Sequence, residues 1–308
     1  MNAQIIGLQK IWDNAPHNAF TDLIRFQGSW FCVFREGSDH VSPDGKIRVL
    51  NSTDGINWTP CALIGIPDVD LRDPKLSITP SSQLLLNACA AFRSASVQRH
   101  QSLVWPSRNG FEWDTPIQVG DPDFWLWRLS WHKGVAYGMG YHTAQPPGVR
   151  LYSSCNAVRF NMVADDLCDE GSPNEATLLF REANSALCLL RRDGSPATAM
   201  LGNSQSPFRE WTWTELAERI GGPNMLLLPD GRIVAAVRRY GEAAWTSLNW
   251  LNPDEGMLSE FLALPSGGDT SYAGLAWHEN LLWISYYSSH EHHASIYLAR
   301  VKLPAGEA

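Results

Sequence analysis

The sequence has little of what marks a disulfide-linked, metal-binding or nucleic-acid-binding protein. Its six cysteines include no Cys-x-x-Cys pair, and Cys32 and Cys188 lie in apolar, strand-like runs. This setting favours buried free thiols, and neither a metal nor a cofactor is predicted. Lysine and arginine number 24 against 32 acidic residues, for a formal net charge of −8. Such a chain lacks the basic surface that nucleic acid requires.

Long hydrophobic runs and helical periodicity are also missing. Residues 1–10 contain no basic segment followed by an apolar stretch, and no run reaches membrane-spanning length. The sequence therefore predicts no membrane contact and a cytoplasmic location, or a periplasmic or secreted one if a signal segment has been removed. Short apolar runs alternate instead with Gly, Pro, Asn and Asp every eight to twelve residues, which is typical of all-β proteins.

A repeat of about fifty residues organises these strands. Six similar segments begin at Thr21, Arg72, Trp127, Asn174, Pro223 and Ser271. Self-similarity at this period indicates a β-propeller with one four-stranded sheet per repeat. We expect a single domain over 1–308, with blades near 20–63, 70–119, 124–165, 172–218, 222–264 and 268–303. The strand-like residues 5–12 precede the first repeat, and we expect them to close the ring beside the last strand near 296–298.

A polar residue recurs at one register of the six segments. These residues are Asp22, Asp73, Arg128, Glu175, Asn224 and Tyr272. Because the innermost strands of a propeller start at one mouth of the channel, we expect the six side chains to form one ring there. Asp22 or Asp73 alone could equally bind backbone amides. Three carboxylates, a guanidinium, an amide and a phenol together indicate a functional site.

A second repeat lies between the innermost strands. Residues 52–58 (Ser-Thr-Asp-Gly-Ile-Asn-Trp) and 107–113 (Ser-Arg-Asn-Gly-Phe-Glu-Trp) share one spacing, and 154–160 is a degraded copy. These stretches resemble the Asp-box (BNR) repeats of the sialidase, or neuraminidase, superfamily, one residue shorter than usual. The resemblance implies a six-bladed propeller of sialidase-like type, in which such repeats are scaffold on the outside.

Three further segments extend this resemblance. Asn174-Glu175, Ser271-Tyr272-Ala273-Gly274-Leu275 and Phe34-Arg35-Glu36-Gly37 are similar to sialidase segments. The resemblance implies that Glu175 takes the proton of Tyr272, whose oxygen attacks an anomeric carbon. A tyrosine with its ordinary pKa near 10 needs such a base. The matching acid would be Asp39 or Asp44, with His40 close by.

The first blade departs from the sialidase pattern. Sialidases open it with Arg-Ile-Pro, whose arginine helps to bind the substrate carboxylate, whereas this chain has Phe20-Thr21-Asp22-Leu23. If this alignment were shifted by a few residues, Arg25 would take the place of the sialidase arginine. The other two arginines would be Arg191 or Arg192, and Arg238 or Arg239. Asp22, in the place of that arginine, would repel an anionic sugar, so the sequence favours a neutral glycoside as the substrate.

A second resemblance competes with the first. Arg72-Asp73-Pro74 is similar to the Arg-Asp-Pro segment of fructan- and arabinan-processing propeller glycosidases, which take a carboxylate from each of three blades. In that arrangement Asp22, Asp73 and Glu175 would supply a nucleophile or base, an orienting carboxylate and an acid. Two carboxyl groups on either side of a glycosidic bond are the usual means of hydrolysing it.

These observations predict an exo-acting glycoside hydrolase whose substrate is not a standard sialoside. The predicted catalytic residues are Tyr272, Glu175, Asp22, Asp73, Asp44 and His40. The predicted substrate-binding residues are Arg35, Arg72, Arg128, Asn224, Arg191, Arg238 and Trp127. A non-catalytic propeller that binds glycan or protein, and a polysaccharide lyase that uses Tyr272 and His40, stay open as alternatives. The sugar, the stereochemistry and the oligomeric state are also open.

Overall fold

The computed structural model describes residues 2–92 and 98–306, and the described residues form a ring of antiparallel sheets. In chain order the strands are β1 (Gln4–Trp12), β2 (His17–Phe26), β3 (Ser29–Gly37), β4 (Lys46–Ser52), β5 (Thr59–Ile64), β6 (Val69–Ile78), β7 (Leu84–Phe92), β8 (His100–Ser107), β9 (Ile117–Val119), β10 (Phe124–His132), β11 (Val135–His142), β12 (Val149–Ser154), β13 (Asn161–Ala164), β14 (Pro173–Arg181), β15 (Ser185–Arg192), β16 (Met200–Gln205), β17 (Thr212–Glu215), β18 (Ile220–Leu227), β19 (Ile233–Tyr240), β20 (Ala244–Asn252), β21 (Met257–Ala263), β22 (Thr270–His278), β23 (Leu281–Ser288) and β24 (Ser295–Lys302). A single 3₁₀ turn, Glu182–Asn184, joins β14 to β15.

Within the described residues these strands make six four-stranded sheets, which are the six predicted blades. Blades one to five each take four consecutive strands, starting at β2, β6, β10, β14 and β18. Each predicted blade starts within three residues of its first strand. The six-bladed all-β architecture predicted from the repeat is therefore confirmed.

The N-terminal strand closes the ring. The sixth blade has the order β1-β24-β23-β22, so the two ends of the chain share one sheet. Lys10 pairs with Tyr297 and Trp12 with Ile296, close to the place expected from the sequence. The strand also gives the last blade its fourth member, as the sequence predicted.

Side chains of the turns between third and fourth strands hold these turns closed. In the turn from β4 to β5, Ser52 Oγ accepts the Gly55 N–H at 2.8 Å, and Asp54 Oδ1 accepts the N–H groups of Ile56 and Asn57, each at 2.8 Å. Asn109 takes the same place in the turn from β8 to β9. These turns lie two strands away from the innermost strands, so they support the blades. Their kinship to Asp-box repeats stays a prediction.

Large apolar side chains fill the spaces between the sheets. Trp30 and Trp283, for example, lie with ring centroids 4.5 Å apart between the first and the sixth blade. Cys32 and Cys188 are fully buried free thiols, as their apolar neighbours predicted. Among the described residues, no helix is long and apolar enough to span a membrane.

Candidate active site

Every innermost strand carries a β-bulge at the same place. Two residues of the first strand stand against one residue of the second strand in each blade. The pairs of bulged residues are 20–21, 73–74, 127–128, 174–175, 222–223 and 272–273. Bulges bend a strand and re-aim its side chains, and they are common beside active sites.

This register corrects the expectation of a single ring. Asp73 and Tyr272 are the first residues of their bulges, whereas Arg128 and Glu175 are the second. Asp22 and Asn224 follow their bulges and therefore lie further along the strand. The six polar residues thus occupy three successive levels of the channel.

The first bulge positions also concentrate backbone strain. Phe20, Asp73 and Tyr272 have φ angles of 63°, 51° and 50°, in the left-handed region that non-glycine residues seldom adopt. Gly222 holds the same position in the fifth blade, with φ +55°. Strain of this kind is often found at functional sites.

Tyr272 and Glu175 form a direct hydrogen-bonded pair at the centre of the site. The phenol donates to Glu175 Oε1 at 2.5 Å, and both residues are 7% exposed. Arg191 Nη1 donates to the same carboxylate oxygen at 2.6 Å and to the Tyr272 oxygen at 2.9 Å. The predicted pair therefore exists as a contact, and Arg191, one of the two arginines that the sequence offered, lies against it.

The backbone around this pair holds it in place. Gly222 donates its N–H to Glu175 Oε2 at 2.7 Å, so both oxygens of the carboxylate are bound. A Cβ on Gly222 would lie 2.7 Å from the Tyr272 ring, and glycine is therefore required for this close approach. Thr21 Oγ1 donates to the Tyr272 carbonyl at 3.0 Å and fixes the bulge from the neighbouring blade.

Burial and charge set the protonation of this centre. Burial raises the pKa of Tyr272 well above its ordinary value, and the Glu175 carboxylate raises it further. Burial alone would lower the pKa of Arg191, but Glu175 and Tyr272 outweigh it and raise that pKa. The phenol is therefore neutral at rest, and a cation lies against the oxygen from which a proton would leave.

Asp73 is a buried carboxyl group with an unsatisfied oxygen. It is 4% exposed, and its Oδ1 has no hydrogen-bond partner within the described residues. Burial raises its pKa to about 6; Arg72 and Lys75 lower it, and the negative charge of Glu175 raises it. A carboxyl group that keeps its proton close to neutral pH is suited to act as a general acid.

Asp269 binds the side chains of two histidines. His40 Nδ1 lies 2.6 Å and His17 Nε2 lies 3.1 Å from Asp269 Oδ2. Arg238 Nη2 donates to Asp269 Oδ1 at 3.0 Å, and its guanidinium lies 5.0 Å from the Tyr272 ring centroid. Burial would raise the pKa of Asp269, but hydrogen bonds from His17, His40 and Tyr287 lower it, so the carboxylate is charged.

The same cluster is where a cation could bind. One ligand atom each of His17, His40 and Asp269 lies within 4.8 Å of the others. Imidazole and carboxylate together suit first-row transition metals. Asp269 Oδ2 is already in contact with both rings, however, and Arg238 places a positive charge on its other oxygen. The contacts as they stand orient His40 without an ion.

Asp22 and Arg128 form an ion pair that joins blades below the mouth. Arg128 donates two hydrogen bonds to Asp22, at 2.9 and 3.1 Å, and Asp22 Oδ2 also accepts the Leu76 N–H at 2.8 Å. Asp22 is 1% exposed, so it is enclosed rather than open to a substrate. As they stand, Asp22 and Arg128 pair with each other and join blades, and their expected roles in catalysis and in binding stay predictions.

Two other predicted residues, Arg35 and Asp44, make their contacts away from the Tyr272–Glu175 pair. Arg35 is fully buried and donates to Asp70 at 2.7 Å, so it fixes the first blade against the second. Asp44 binds the backbone and hydroxyl of Ser38, and hydrogen bonding, first from Ser42, lowers its pKa to about 2, which makes it a poor acid.

Asn224 and Trp127 also have structural places. Asn224 donates to the Ala273 carbonyl at 2.9 Å and joins the fifth blade to the sixth. Trp127 is 2% exposed and packs edge-on against Tyr272, with centroids 5.6 Å apart. It forms the floor of the site together with Phe20, so it excludes water instead of offering an open face to a sugar.

The remaining predicted arginines lie near the centre, but each is paired. Arg72 Nη1 donates to Asp70 at 3.2 Å and to the His40 carbonyl at 2.8 Å. Arg191 also binds Asp193, and Arg238 binds Asp269. These three guanidinium groups therefore each have a carboxylate partner.

Several residues at the site were missed by the sequence analysis. Asp269 stands only three residues before Tyr272 in a glycine-rich stretch, and this proximity was the available signal. Lys75 is 2% exposed and donates to the Thr21 carbonyl at 3.2 Å, and burial lowers its pKa to about 8. It directly follows the Arg-Asp-Pro segment. His17 had no signal, because its partner lies 252 positions away.

Solved structures share this fold at low sequence identity. A protein of unknown function from Dyadobacter fermentans has a TM-score of 0.86 at 19% identity, covering 98% of this chain and 100% of that one. An α-L-arabinanase of Penicillium chrysogenum, solved with arabinobiose, has a TM-score of 0.73 at 12% identity, covering 96% and 98%. A Trypanosoma rangeli sialidase, solved with sialic acid, has a TM-score of 0.67 at 10% identity, covering 98% of this chain and 58% of the sialidase.

These comparisons establish the fold of the chain but not its activity. The chain matches no protein-family model and no curated protein. The neighbours include arabinan-processing and sialidase propellers, so both resemblances seen in the sequence have a counterpart among them. Fold alone does not determine chemistry, which has to be argued from the site.

Proposed function

We propose that the protein is an exo-acting, retaining glycoside hydrolase with Tyr272 as nucleophile and Glu175 as its base. The observation that carries the proposal is the three-way contact among Tyr272, Glu175 and Arg191. A phenol with a raised pKa is a poor nucleophile unless a base takes its proton as it attacks. Glu175 is placed for that transfer, and Arg191 stabilises negative charge on the oxygen.

The first step forms a bond between the Tyr272 oxygen and the anomeric carbon. The phenol proton passes to Glu175 while the bond to the leaving group breaks, and Asp73 gives its proton to the departing oxygen. In the second step water attacks the anomeric carbon and gives a proton to Asp73. The bond to Tyr272 breaks, and Glu175 returns the proton to the phenol oxygen. Two displacements retain the anomeric configuration.

Asp73 replaces the acid expected from the sialidase resemblance. Hydrogen bonding lowers the pKa of Asp44 to about 2, which makes it the weaker candidate, and Asp39 lies exposed in the loop with its Oδ1 accepting the His40 N–H. Asp73 has a pKa of about 6 and a free oxygen. His40, oriented by Asp269, is the second group that could supply a proton there.

The charges of the site favour a neutral sugar. Arg191 and Arg238 are paired with Glu175 and Asp269, and Arg72 shares Asp70 with Arg35. An anionic substrate would compete with these carboxylates for the guanidinium groups, and displacing Glu175 from Arg191 would leave that carboxylate buried without its cation. This argument supports the inference, drawn from the sequence, that a standard sialoside is not the substrate.

The test is hydrolysis of a panel of aryl glycosides, including arabinofuranosides, galactosides and a sialoside. We expect Tyr272→Phe to lower kcat by roughly a thousandfold or more, and Glu175→Gln to have a similar effect. Because the two residues act as a unit, the double variant should be little worse than either single one. Tyr286→Phe is the matched control, since its phenol donates to the Pro265 carbonyl outside the site. The configuration of the first product is read by NMR.

Other outcomes would contradict the mechanism in distinct ways. A mild Tyr272→Phe with a severe Asp73→Asn would indicate a pair of carboxyl groups. An unsaturated product would indicate a lyase using Tyr272 and His40. A wild type inert on the whole panel that nevertheless binds glycan saturably would indicate a binding propeller.

A further inference from the structure

A cavity of about 680 Å³ opens between the second, third and fourth blades. Its lining includes His100, Trp125, Tyr141, Thr143, Gln145 and Asn174. The volume falls in the range of about 300–1,000 Å³ that is common for ligand pockets. The mechanism described above uses none of these six residues.

The cavity lies beside the proposed reacting centre. Asn174 directly precedes Glu175, and its Oδ1 accepts the Glu175 N–H at 2.7 Å. Tyr141, at the end of β11, is close enough to feel the charges of both carboxyl groups: burial raises its pKa, and Glu175 and Asp73 raise it further. The cavity therefore borders the position of Glu175 in the fourth blade.

The wall of the cavity contains aromatic rings. The half-buried Tyr141 ring stacks on the buried Trp125 ring, with centroids 5.7 Å apart and an angle of 15°. His100 lies 5.5 Å from Trp125 and continues this wall. Aromatic faces of this kind pack against the apolar faces of sugar rings.

The cavity also offers a phenolic hydroxyl. Within residues 2–92 and 98–306 the Tyr141 hydroxyl makes no hydrogen bond, and its ring is packed against Trp125. Such a hydroxyl can both donate and accept. The charged residues of the lining, Arg99 and Asp123, are of opposite sign, so the cavity has no excess of charge from these two.

We infer that this cavity is a second sugar subsite, which holds the sugar on the leaving-group side of the bond. The natural substrate is then an oligosaccharide of neutral sugars instead of a glycoside with a small leaving group. In this arrangement Tyr141 contacts the sugar and binds one of its hydroxyls, while Trp125 supports the Tyr141 ring from behind. The inference rests on the proposed function, because it places the second sugar by reference to Tyr272.

The kinetic test compares matched substrates that differ only in the leaving group. Each pair is a disaccharide and the fluoride of its non-reducing sugar, beginning with arabinobiose and arabinofuranosyl fluoride, then lactose and galactosyl fluoride. We expect Tyr141→Phe to lower kcat/KM for the disaccharide about tenfold more than for the fluoride, as fits the loss of one hydrogen bond. Trp125→Phe should shift the ratio in the same direction. Tyr137→Phe, on the same strand but outside the cavity, is the control that changes neither.

Binding separates failure of the subsite from failure of the proposed reaction. Titration calorimetry of Tyr272→Phe, which should not turn over, is expected to show tighter binding of the disaccharide than of its monosaccharide. Adding Tyr141→Phe should remove that difference. Equal binding of the two sugars, or an equal loss of kcat/KM on both substrates, would overturn the subsite. A wild type that hydrolyses neither substrate but keeps the Tyr141-dependent difference would retain the subsite and refute the hydrolase.

Discussion

The buried carboxyl of Asp73 predicts that removing it stabilises the protein while abolishing activity. Its pKa is about 6 in the folded protein, against an ordinary value of 3.8. Between these values the folded protein holds a proton that the unfolded chain has released, so the free energy of unfolding falls as the pH rises through this window. A difference of about two in pKa corresponds to about 3 kcal/mol.

Asp73→Asn has no such proton, so its unfolding free energy relative to wild type should grow by about 3 kcal/mol between about pH 4 and pH 7. Urea unfolding followed by tryptophan fluorescence measures this, since the chain has 14 tryptophans. Asp44→Asn is the control: its carboxyl has a pKa of about 2, so its contribution changes only below pH 3.8. A constant difference between Asp73→Asn and wild type over this range would refute the assignment of Asp73 as a proton-holding acid.

Two other predictions concern the support of the site. Gly222→Ala should lower kcat more than tenfold, because the new Cβ would press on the Tyr272 ring. Gly134→Ala is the control, since Gly134 also has a positive φ but faces open space, and equal activities of the two variants would contradict this reasoning. Arg128→Met should cost about 3–5 kcal/mol of unfolding free energy by leaving Asp22 buried and unpaired, and adding Asp22→Asn should recover part of it. A loss under about 1 kcal/mol in urea unfolding would argue against that pair as a joint between blades.

The architecture could be predicted because its signals are local. The turn residues and the spacing of about fifty residues are visible in the sequence, and each blade folds mainly within its own segment. The N-terminal strand could be placed because it was the one strand without a blade. The paired residues Glu175 and Tyr272 came from the resemblance, and the contact between them spans 97 positions that no local pattern reveals.

The depth of each polar residue in the channel could not be predicted, because a bulge adds one residue to the first strand of a blade and none to the second. Asp22 and Asn224 were aligned with Asp73 and Tyr272 by sequence similarity, yet they follow the bulge and bind neighbouring backbone. Arg191 stands opposite the bulge of its blade, which is why it, and not Arg192, reaches Glu175. Arg35 was predicted to bind substrate but is fully buried, and a strand pattern does not show which polar side chain is enclosed.

The shared bulge has a consequence for how this scaffold can change. Each blade presents one residue at the first bulge position, and these residues are Phe20, Asp73, Trp127, Asn174, Gly222 and Tyr272. Because strand pairing resumes after every bulge, an exchange at one of these positions leaves the pairing of its blade unaltered. Side chains at neighbouring positions touch, however, as Gly222 and Tyr272 do. The chemistry of the mouth can therefore change by substitution alone, without an insertion or deletion, provided that residues in contact change together.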